Sequence, residues 1–240
     1  MALGAASVAA VLALLQAAGM TGLLSEDSFP LVSDVLARLG TELRHADLWI
    51  AVGHTLGQAM VGLVAGTLLA VPLGLFLGRI PLAERSIRPV IEFLRPIPSV
   101  TVLPVVILTV GVRFQAAAIL AGISTLWLVL ILTLAGARAV DPVAQETLVA
   151  FRLPRRGRIR ALLIPSALPF VLTGVRVAAS VSLIVAVSAE LLGGMSGIGH
   201  EMTVSLQTAD KTGMYALTLV AGALGLAVST ALEPLEDALL

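Results

Sequence analysis

Long apolar runs are the feature that most limits the folds open to this chain. Residues 2–24, 51–78 and 116–137 contain no Asp, Glu, Lys or Arg, and each run is long enough to cross a bilayer as a helix. Three further apolar runs cover residues 96–112, 170–192 and 214–232. Backbone N–H and C=O groups in lipid must form their hydrogen bonds within the protein, which favours helices. The sequence therefore predicts an all-α fold, a polytopic membrane helix bundle of about six transmembrane helices.

The amino-acid composition argues against a soluble fold. Hydrophobic residues make up 58% of the 240 residues and charged residues 12%, and the mean hydropathy is +1.03. A soluble protein of this length cannot bury so much apolar surface in its core, so much of that surface must face lipid. We expect a single membrane domain over residues 1–240, with 1–50 peripheral and 51–240 forming the core bundle.

The distribution of arginine predicts the orientation. Residues 79–95 contain four arginines and two acids, and residues 138–169 contain six arginines and two acids, whereas 25–50 contain five acids and two arginines. Arginine-rich loops stay in the cytoplasm. Both basic segments and both termini are therefore predicted to be cytoplasmic in the cell membrane, if 2–24 is a retained span. A cleaved signal peptide is the competing interpretation of 2–24, although that run has no basic start.

Shorter patterns refine this outline. Residues 29–48 and 79–95 each place apolar residues on one helical face, which predicts two amphipathic helices at the membrane surface. Prolines open the run 96–112, which is short for a straight crossing, so it is either a broken helix that lines a cavity or a kink at the membrane boundary. Glycines four apart favour a packing face within 51–78, with ordinary glycine enrichment as the alternative. The run contains Gly57, Gly62, Gly66, Gly74 and Gly78, of which the pairs 62/66 and 74/78 are four apart.

The arginine-rich segment 138–169 is the most charged part of the chain. Asp141-Pro142 is a helix-start pair, because the acid can cap the helix and proline is tolerated in the first turn. Pro154 stops the predicted helix and Gly157 allows a bend, while Pro165 and Pro169 lead into the run 170–192. We predict a short cytoplasmic helix over 140–151, followed by a basic elbow.

The same segment resembles a signature loop of the membrane permease subunits of binding-protein-dependent ABC importers. That loop begins Glu-Ala-Ala and closes with Leu-Pro nineteen positions after the Glu; here Glu146 and Pro165 stand nineteen apart, with Ile164 in place of Leu. Three further stretches are similar to the permeases for sulfonates, taurine and nitrate, so that the likeness covers about residues 55–232. They are FLRPIPSVTVLPVVIL (93–108), LTGVRVAASVSL (172–183) and AELLGGMSGIG (189–199).

The resemblance implies a transmembrane importer subunit whose loop is a cytoplasmic coupling helix. The implied partners are ATP-hydrolysing subunits that bind the ATP, a second permease, an extracytoplasmic substrate-binding protein and the lipid membrane; the chain itself needs no cofactor. The ATPase-coupling residues would be Glu146, Thr147, Leu148, Arg152, Arg155 and Pro165. Thr147-Leu148 replaces the family's Ala-Ala and Arg152 replaces a Gly, and these departures bear on the strength of docking. A drifted loop favours pairing with a non-identical permease, with a homodimer as the alternative.

Four residues are candidates for the translocation path: Pro98, Ser99, Arg176 and Glu190. Pro98 and Ser99 open the irregular run 96–112, and an ionisable residue within a span is a functional candidate. Arg176 lies within about two turns of the cytoplasmic boundary and can extend to it. Glu190 lies near the outer end, close enough to water to stay charged. Pairing of these two residues with neighbouring subunits or backbone is the alternative to substrate contact.

Catalytic and metal-binding motifs are missing from the sequence. It has no GxxxxGK[ST] phosphate loop, no HExxH and no cysteine, so we predict a non-catalytic subunit with no metal site. Positive-inside retention explains the arginines more simply than nucleic-acid binding does, so no nucleic-acid partner is expected. A self-sufficient secondary transporter is the alternative function. That class usually has internal repeats and mid-membrane carboxylates, and neither is visible here.

Overall fold

The computed structural model describes residues 2–23 and 29–239, and within that part the chain forms helices and turns without a β-strand. The α-helices are α1 Ala2–Met20, α2 Val32–Glu42, α3 Ala46–Arg79, α4 Pro81–Leu94, α5 Leu103–Val110, α6 Phe114–Arg138, α7 Pro142–Ala150, α8 Arg155–Arg158, α9 Ile164–Gly193, α10 Ile198–Gln207 and α11 Lys211–Leu239. A 3-10 turn, Ser99–Val102, leads into α5, and a π-helical turn, Ile159–Leu163, joins α8 to α9. The all-α membrane fold predicted from the sequence is confirmed.

Four segments of the described chain are long and apolar enough to cross a membrane, namely Ala46–Arg79, Phe114–Arg138, one within Arg155–Gln207, and Lys211–Pro234. A fifth is possible if α4 and the segment Ser99–Val110 count as one broken span. The run predicted at 2–24 forms α1, which has 19 residues and ends at Met20; residue 24 lies outside the described part. Length and composition therefore identify four or five spanning segments within the described residues, and the predicted number of six is not confirmed.

The run 96–112 does not form the single crossing expected of it. The chain bends by 80° between α4 and the 3-10 turn, and α5 contains only 8 residues. Eight helical residues extend about 12 Å, less than half of a hydrocarbon core of about 30 Å. The physical reason is the proline pattern: Pro96 and Pro98 cannot donate backbone hydrogen bonds, so the helix is interrupted before Ser99.

The glycines of α3 form a packing face against α6. A Cβ built on Gly62 would lie 2.6 Å from the Cβ of Ala121, and one on Gly66 would lie 2.6 Å from the Gly122 carbonyl oxygen. The same close approach recurs further along, where Gly74 meets Thr133 and Gly78 meets Ala137. Such distances leave no room for a side chain. The packing interpretation is therefore confirmed over ordinary glycine enrichment.

Helix α2 is shorter than the amphipathic helix predicted over 29–48. It ends at Glu42, the chain turns through 43–45, and α3 begins at Ala46. Trp49, predicted to lie at the membrane edge, therefore belongs to the first turn of α3, and its indole Nε1–H donates to the Leu43 carbonyl (3.0 Å). The second amphipathic helix is present as α4, with Leu82 and Phe93 exposed.

Helix α9 packs against α3, α6, α10 and α11, and so connects most of the bundle. Its buried positions are mostly small, which lets the neighbouring helices approach closely. These include Gly174, Ala178, Ala179, Ser182, Ala186 and Ala189. The helix continues from the loop that follows α7 at one end to the glycine-rich turn before α10 at the other. It therefore links the loop that contains α7 to the turn before α10.

Candidate functional site

The loop between α6 and α9 contains the short helix that the sequence predicted. Helix α7 begins at Pro142, and the Asp141 side chain caps it by accepting a hydrogen bond from the Val143 N–H (2.9 Å). Proline at the first helical position costs no hydrogen bond, because an N–H at that position has no partner inside the helix. The helix ends at Ala150, one residue before the predicted end.

Arg152 terminates α7 in a conformation that usually belongs to glycine. Its φ is +54°, its N–H donates to the Val149 carbonyl (2.8 Å), and the Leu153 N–H donates to the Leu148 carbonyl (3.0 Å). These two bonds define a Schellman motif, whose left-handed position favours glycine because a Cβ is crowded there. The structure thus explains why a glycine at this position suits the turn, and it shows that Arg152 adopts the same turn.

Helix α7 leaves much of its own surface uncovered. Glu146 and Thr147 are exposed, and Leu148 is half-buried. Three apolar side chains on or beside α7 are strongly exposed, with Val143 at 68% and Phe151 at 75% of their full accessibility, and Val149 at 50%. Three strongly exposed apolar side chains along one short segment make it a candidate interaction site.

Two polar contacts join the ends of the long helices to α7 and to α4. The Arg79 guanidinium, in the last turn of α3, donates to the Gln145 side-chain oxygen (3.0 Å). The Arg138 guanidinium, in the last turn of α6, forms an ion pair with Glu84 of α4, which is buried. A cleft of about 300 Å³ between α7 and these helix ends is bordered by Arg79, Gln145 and Glu146 among others. Helix α7 is therefore held against the bundle on one side and open on the other.

The basic elbow and the prolines after it differ from the prediction. Arg155 is exposed in the single turn α8, and the chain continues through the π-helical turn into α9. Pro165, which is exposed, and Pro169 were expected to lead into a span at residue 170, but both lie within α9, which begins at Ile164. Pro165 has no N–H to donate to the preceding turn, and the wider π-helical turn directly before it accommodates that loss.

The four predicted path residues lie in three different surroundings. Pro98 is exposed and Ser99 half-buried where the chain bends before α5, and the Ser99 and Ser124 hydroxyl oxygens lie 2.5 Å apart. Arg176 forms an ion pair with Glu233 of α11 (2.5 Å), which agrees with pairing inside the protein. Glu190 contacts α3 and α10 instead. A role in a translocation path stays a prediction for all four residues.

Glu190 is fully buried, so the expectation that it lies close to water is wrong. Its Oε2 accepts hydrogen bonds from the Thr55 hydroxyl (3.0 Å) and the Gly199 N–H (2.9 Å), while the Ile198 N–H donates to Thr55 Oγ1 (2.9 Å). A Cβ on Gly197 would collide with the Glu190 carboxylate. The glycine-rich turn therefore folds back over this carboxylate, and it covers a group that the end of a helix would otherwise expose.

Several of these partners were not found by sequence reasoning. Arg79 contacts Gln145 and Glu84 contacts Arg138, in each case across more than fifty positions of sequence, and no local pattern links them. Thr55 and Gln58 carried a signal, because they are polar, three residues apart and within an apolar run. In the structure both are buried, and Gln58 Nε2 donates to the Ser196 carbonyl (2.9 Å). Polar residues at helical spacing could therefore have indicated a buried polar contact.

The chain is similar to permease proteins of several transport systems. A probable ABC transporter permease protein of Brucella melitensis is 26% identical over 200 residues, which cover 83% of this chain and 81% of that protein. The taurine transport system permease protein TauC of Escherichia coli is 29% identical over 154 residues, which cover 64% of this chain and 56% of the relative.

Among solved structures, an inward-facing form of the MetNI methionine ABC transporter has the same fold. Its matching chain superimposes with a TM-score of 0.71 at 18% identity, over 81% of this chain and 96% of that one. The family model described as "Binding-protein-dependent transport system inner membrane component" matches residues 70–239. That match covers both the α7 loop and the Glu190 turn. The chain therefore belongs to the family of inner-membrane permease components of binding-protein-dependent transport systems.

Proposed function

We propose that the chain forms part of the translocation path of an ATP-driven importer, and that α7 docks on cytoplasmic ATP-binding subunits. The observation that carries this proposal is that α7 is attached to the bundle and yet leaves apolar side chains uncovered. Arg79 of α3 holds it through Gln145 (3.0 Å), while Val143 and Val149 of α7 and the adjoining Phe151 are exposed. A short helix fixed to a bundle with its apolar side chains uncovered suits a protein partner.

The chemistry of the open face suits a mixed polar and apolar contact. Glu146 supplies an exposed negative charge, and Phe151 is the largest uncovered apolar side chain beside the helix. Full burial of a phenylalanine side chain contributes about 1.5–3 kcal/mol, which makes Phe151 the residue whose truncation should weaken docking most. Glu146 would set the orientation through charge complementarity.

The connection from α7 to the outer side runs through α9. Its 30 residues form one helix about 45 Å long, from the loop to the turn that covers Glu190. When ATP brings the partner subunits together, movement of the loop would tilt α9 as a unit. The tilt would change the access of solute to the translocation path at the other end of α9. This is alternating access driven by the ATP-binding subunits, with no catalytic step in this chain.

The remaining partners follow from the same proposal. A second permease completes the path, and an extracytoplasmic substrate-binding protein delivers the solute. If α1 and the broken segment from α4 to Val110 each cross the membrane, both termini and the α7 loop face the cytoplasm, in the orientation that the arginine distribution favours. Taurine, named for the Escherichia coli relative, is the first solute to test in transport assays.

Co-purification with the ATP-binding subunits tests the docking surface. We expect Glu146→Lys and Phe151→Ala each to reduce the amount of ATPase retained at least fivefold, and Arg79→Ala to reduce it less, because α7 stays helical but loses one support. Glu201→Lys, a matched charge reversal in α10 on the opposite side of the membrane, is the control. Retention that falls equally in Glu201→Lys, or that survives both α7 changes, contradicts docking through α7.

The stoichiometry of the permease pair is a separate expectation. Arg152 in place of glycine favours a partner permease with a different loop, because identical loops would both carry the substitution. Native mass spectrometry of the detergent-extracted complex should then detect one copy of this chain with one different permease. Two copies of this chain without another permease would contradict the heteromeric pairing and leave the docking proposal intact.

A further inference from the structure

A cavity of about 460 Å³ opens between α4 and α6, close to the end of α6 that carries Arg138. Its lining is divided by polarity. Charged side chains occupy one part, and apolar side chains of α4 and α6 occupy the other, among them Ile91, Ile131 and Leu134. Neither the docking surface of α7 nor the Glu190 turn includes this cavity.

The charges in the cavity do not cancel. Three arginines and two glutamates line it, which leaves one positive charge. Arg138 pairs with Glu84, and Arg88 pairs with Glu92 (2.8 Å). Within the described residues, the Arg95 guanidinium has no hydrogen-bond or ion-pair partner, although it lines the same cavity. One guanidinium is therefore available to an external anion.

The surroundings of the cavity indicate a source for that anion. On the exposed face of α4, Leu82 is 76% and Phe93 is 74% exposed, as expected for an amphipathic helix whose apolar face lies in lipid. The long apolar stretch of α6 ends at Arg138, which places the cavity mouth at the level of the lipid headgroups. Basic pockets between membrane helices at this level bind anionic lipid headgroups.

We propose that this cavity binds one anionic phospholipid, with its phosphate on Arg95 and an acyl chain along Ile91, Ile131 and Leu134. The guanidinium offers a planar pair of donors that suits a phosphate diester. The apolar wall suits an acyl chain. A small soluble anion has no acyl chain and would leave this wall without a partner. The bound lipid would stabilise the contact between α4 and α6, next to the Glu84–Arg138 ion pair.

Native mass spectrometry of the full-length chain in its detergent-extracted complex tests the site, with dioleoylphosphatidylglycerol titrated against dioleoylphosphatidylcholine. We expect one phosphatidylglycerol per chain to be retained preferentially. Arg95→Gln should weaken its binding about fivefold, from the loss of one charge near the surface. Arg85→Gln is the matched control, because Arg85 is an exposed arginine of α4 that does not line the cavity.

Two additional measurements separate the lipid from other anions. Glycerophosphoglycerol, the soluble headgroup alone, should not displace the lipid at equal concentration, and Ile131→Ala should weaken lipid binding while the ion pairs remain. Arg95→Lys keeps the charge but not the planar pair of donors, so its binding should lie between that of the parent chain and that of Arg95→Gln, which covers the case in which Arg95→Gln fails to fold. Equal binding of phosphatidylcholine, equal effects of Arg95→Gln and Arg85→Gln, or displacement by the soluble headgroup at equal concentration would each overturn the proposal.

Discussion

Arg152 occupies a backbone conformation in which glycine is favoured by about 1 kcal/mol. The chain contains a second example, Ala209 (φ +56°), whose N–H donates to Leu206 while the Asp210 N–H donates to Ser205 (2.8 Å). The two motifs have the same geometry and lie at opposite ends of the bundle. A non-glycine residue at both positions shows that the hydrogen bonds around each turn are strong enough to hold the left-handed conformation.

This pair gives a matched test of the α7 terminus. Arg152→Gly should increase hydrogen-exchange protection of the Leu153 N–H by about fivefold, because about 1 kcal/mol of strain is removed, and Ala209→Gly should do the same for Asp210. Only the Arg152 change should alter retention of the ATP-binding subunits. Retention that changes equally in both variants would contradict a specific role for the Arg152 side chain.

The Glu190 contacts give a second prediction for single residues. Glu190→Ala leaves the Gly199 N–H without an acceptor in a buried site, which costs about 1–3 kcal/mol, whereas the Thr55 hydroxyl can still donate to the Ala51 carbonyl (3.1 Å). Glu190→Gln retains an acceptor oxygen and should cost less. Thermal unfolding in detergent measures the difference, and a larger loss for the glutamine variant than for the alanine variant would contradict the hydrogen-bond account.

At the scale of elements, the contact between α3 and α6 depends on glycines with no space beside them. Gly62→Ala should destabilise the protein by about 1–3 kcal/mol, because the new methyl group meets Ala121 and the backbone of α6. Gly53→Ala is the control within the same helix, since nothing lies within 4 Å of a Cβ there. The control should be neutral or stabilising, because alanine favours a helix by about 1 kcal/mol. Equal unfolding temperatures for the two variants would contradict the packing face.

At the scale of the whole molecule, the orientation can be tested with reporter fusions. A reporter active only in the cytoplasm should work when fused near Arg88 or Arg156, where arginines dominate the loops, and fail near Glu42 or Glu201. The measurement is reporter activity normalised to the amount of fusion protein. The reverse pattern would overturn both the orientation and the docking of α7, because the ATP-binding subunits could no longer reach it.

The sequence alone determined the features that depend on local pattern. Apolar runs of spanning length predicted the membrane bundle, the Asp141-Pro142 pair predicted the start of α7, and glycines four apart predicted a packing face. Each of these signals lies within one turn or one helix, where residue spacing translates directly into geometry. The family resemblance rested on short motifs of the same kind, and the match over residues 70–239 confirmed it.

Only the tertiary structure decided which residues meet. Glu190 was expected near water because of its position in the run, but the turn at Gly197 and Gly199 folds back and buries it against Thr55, 135 positions earlier. Likewise, the partners of Arg79 and Arg138 are Gln145 and Glu84 on other helices. The run 96–112 was also expected to cross as one span, but an 80° bend follows α4 and divides it. Such contacts depend on how helices pack against one another, and the spacing of residues within one helix does not indicate that packing.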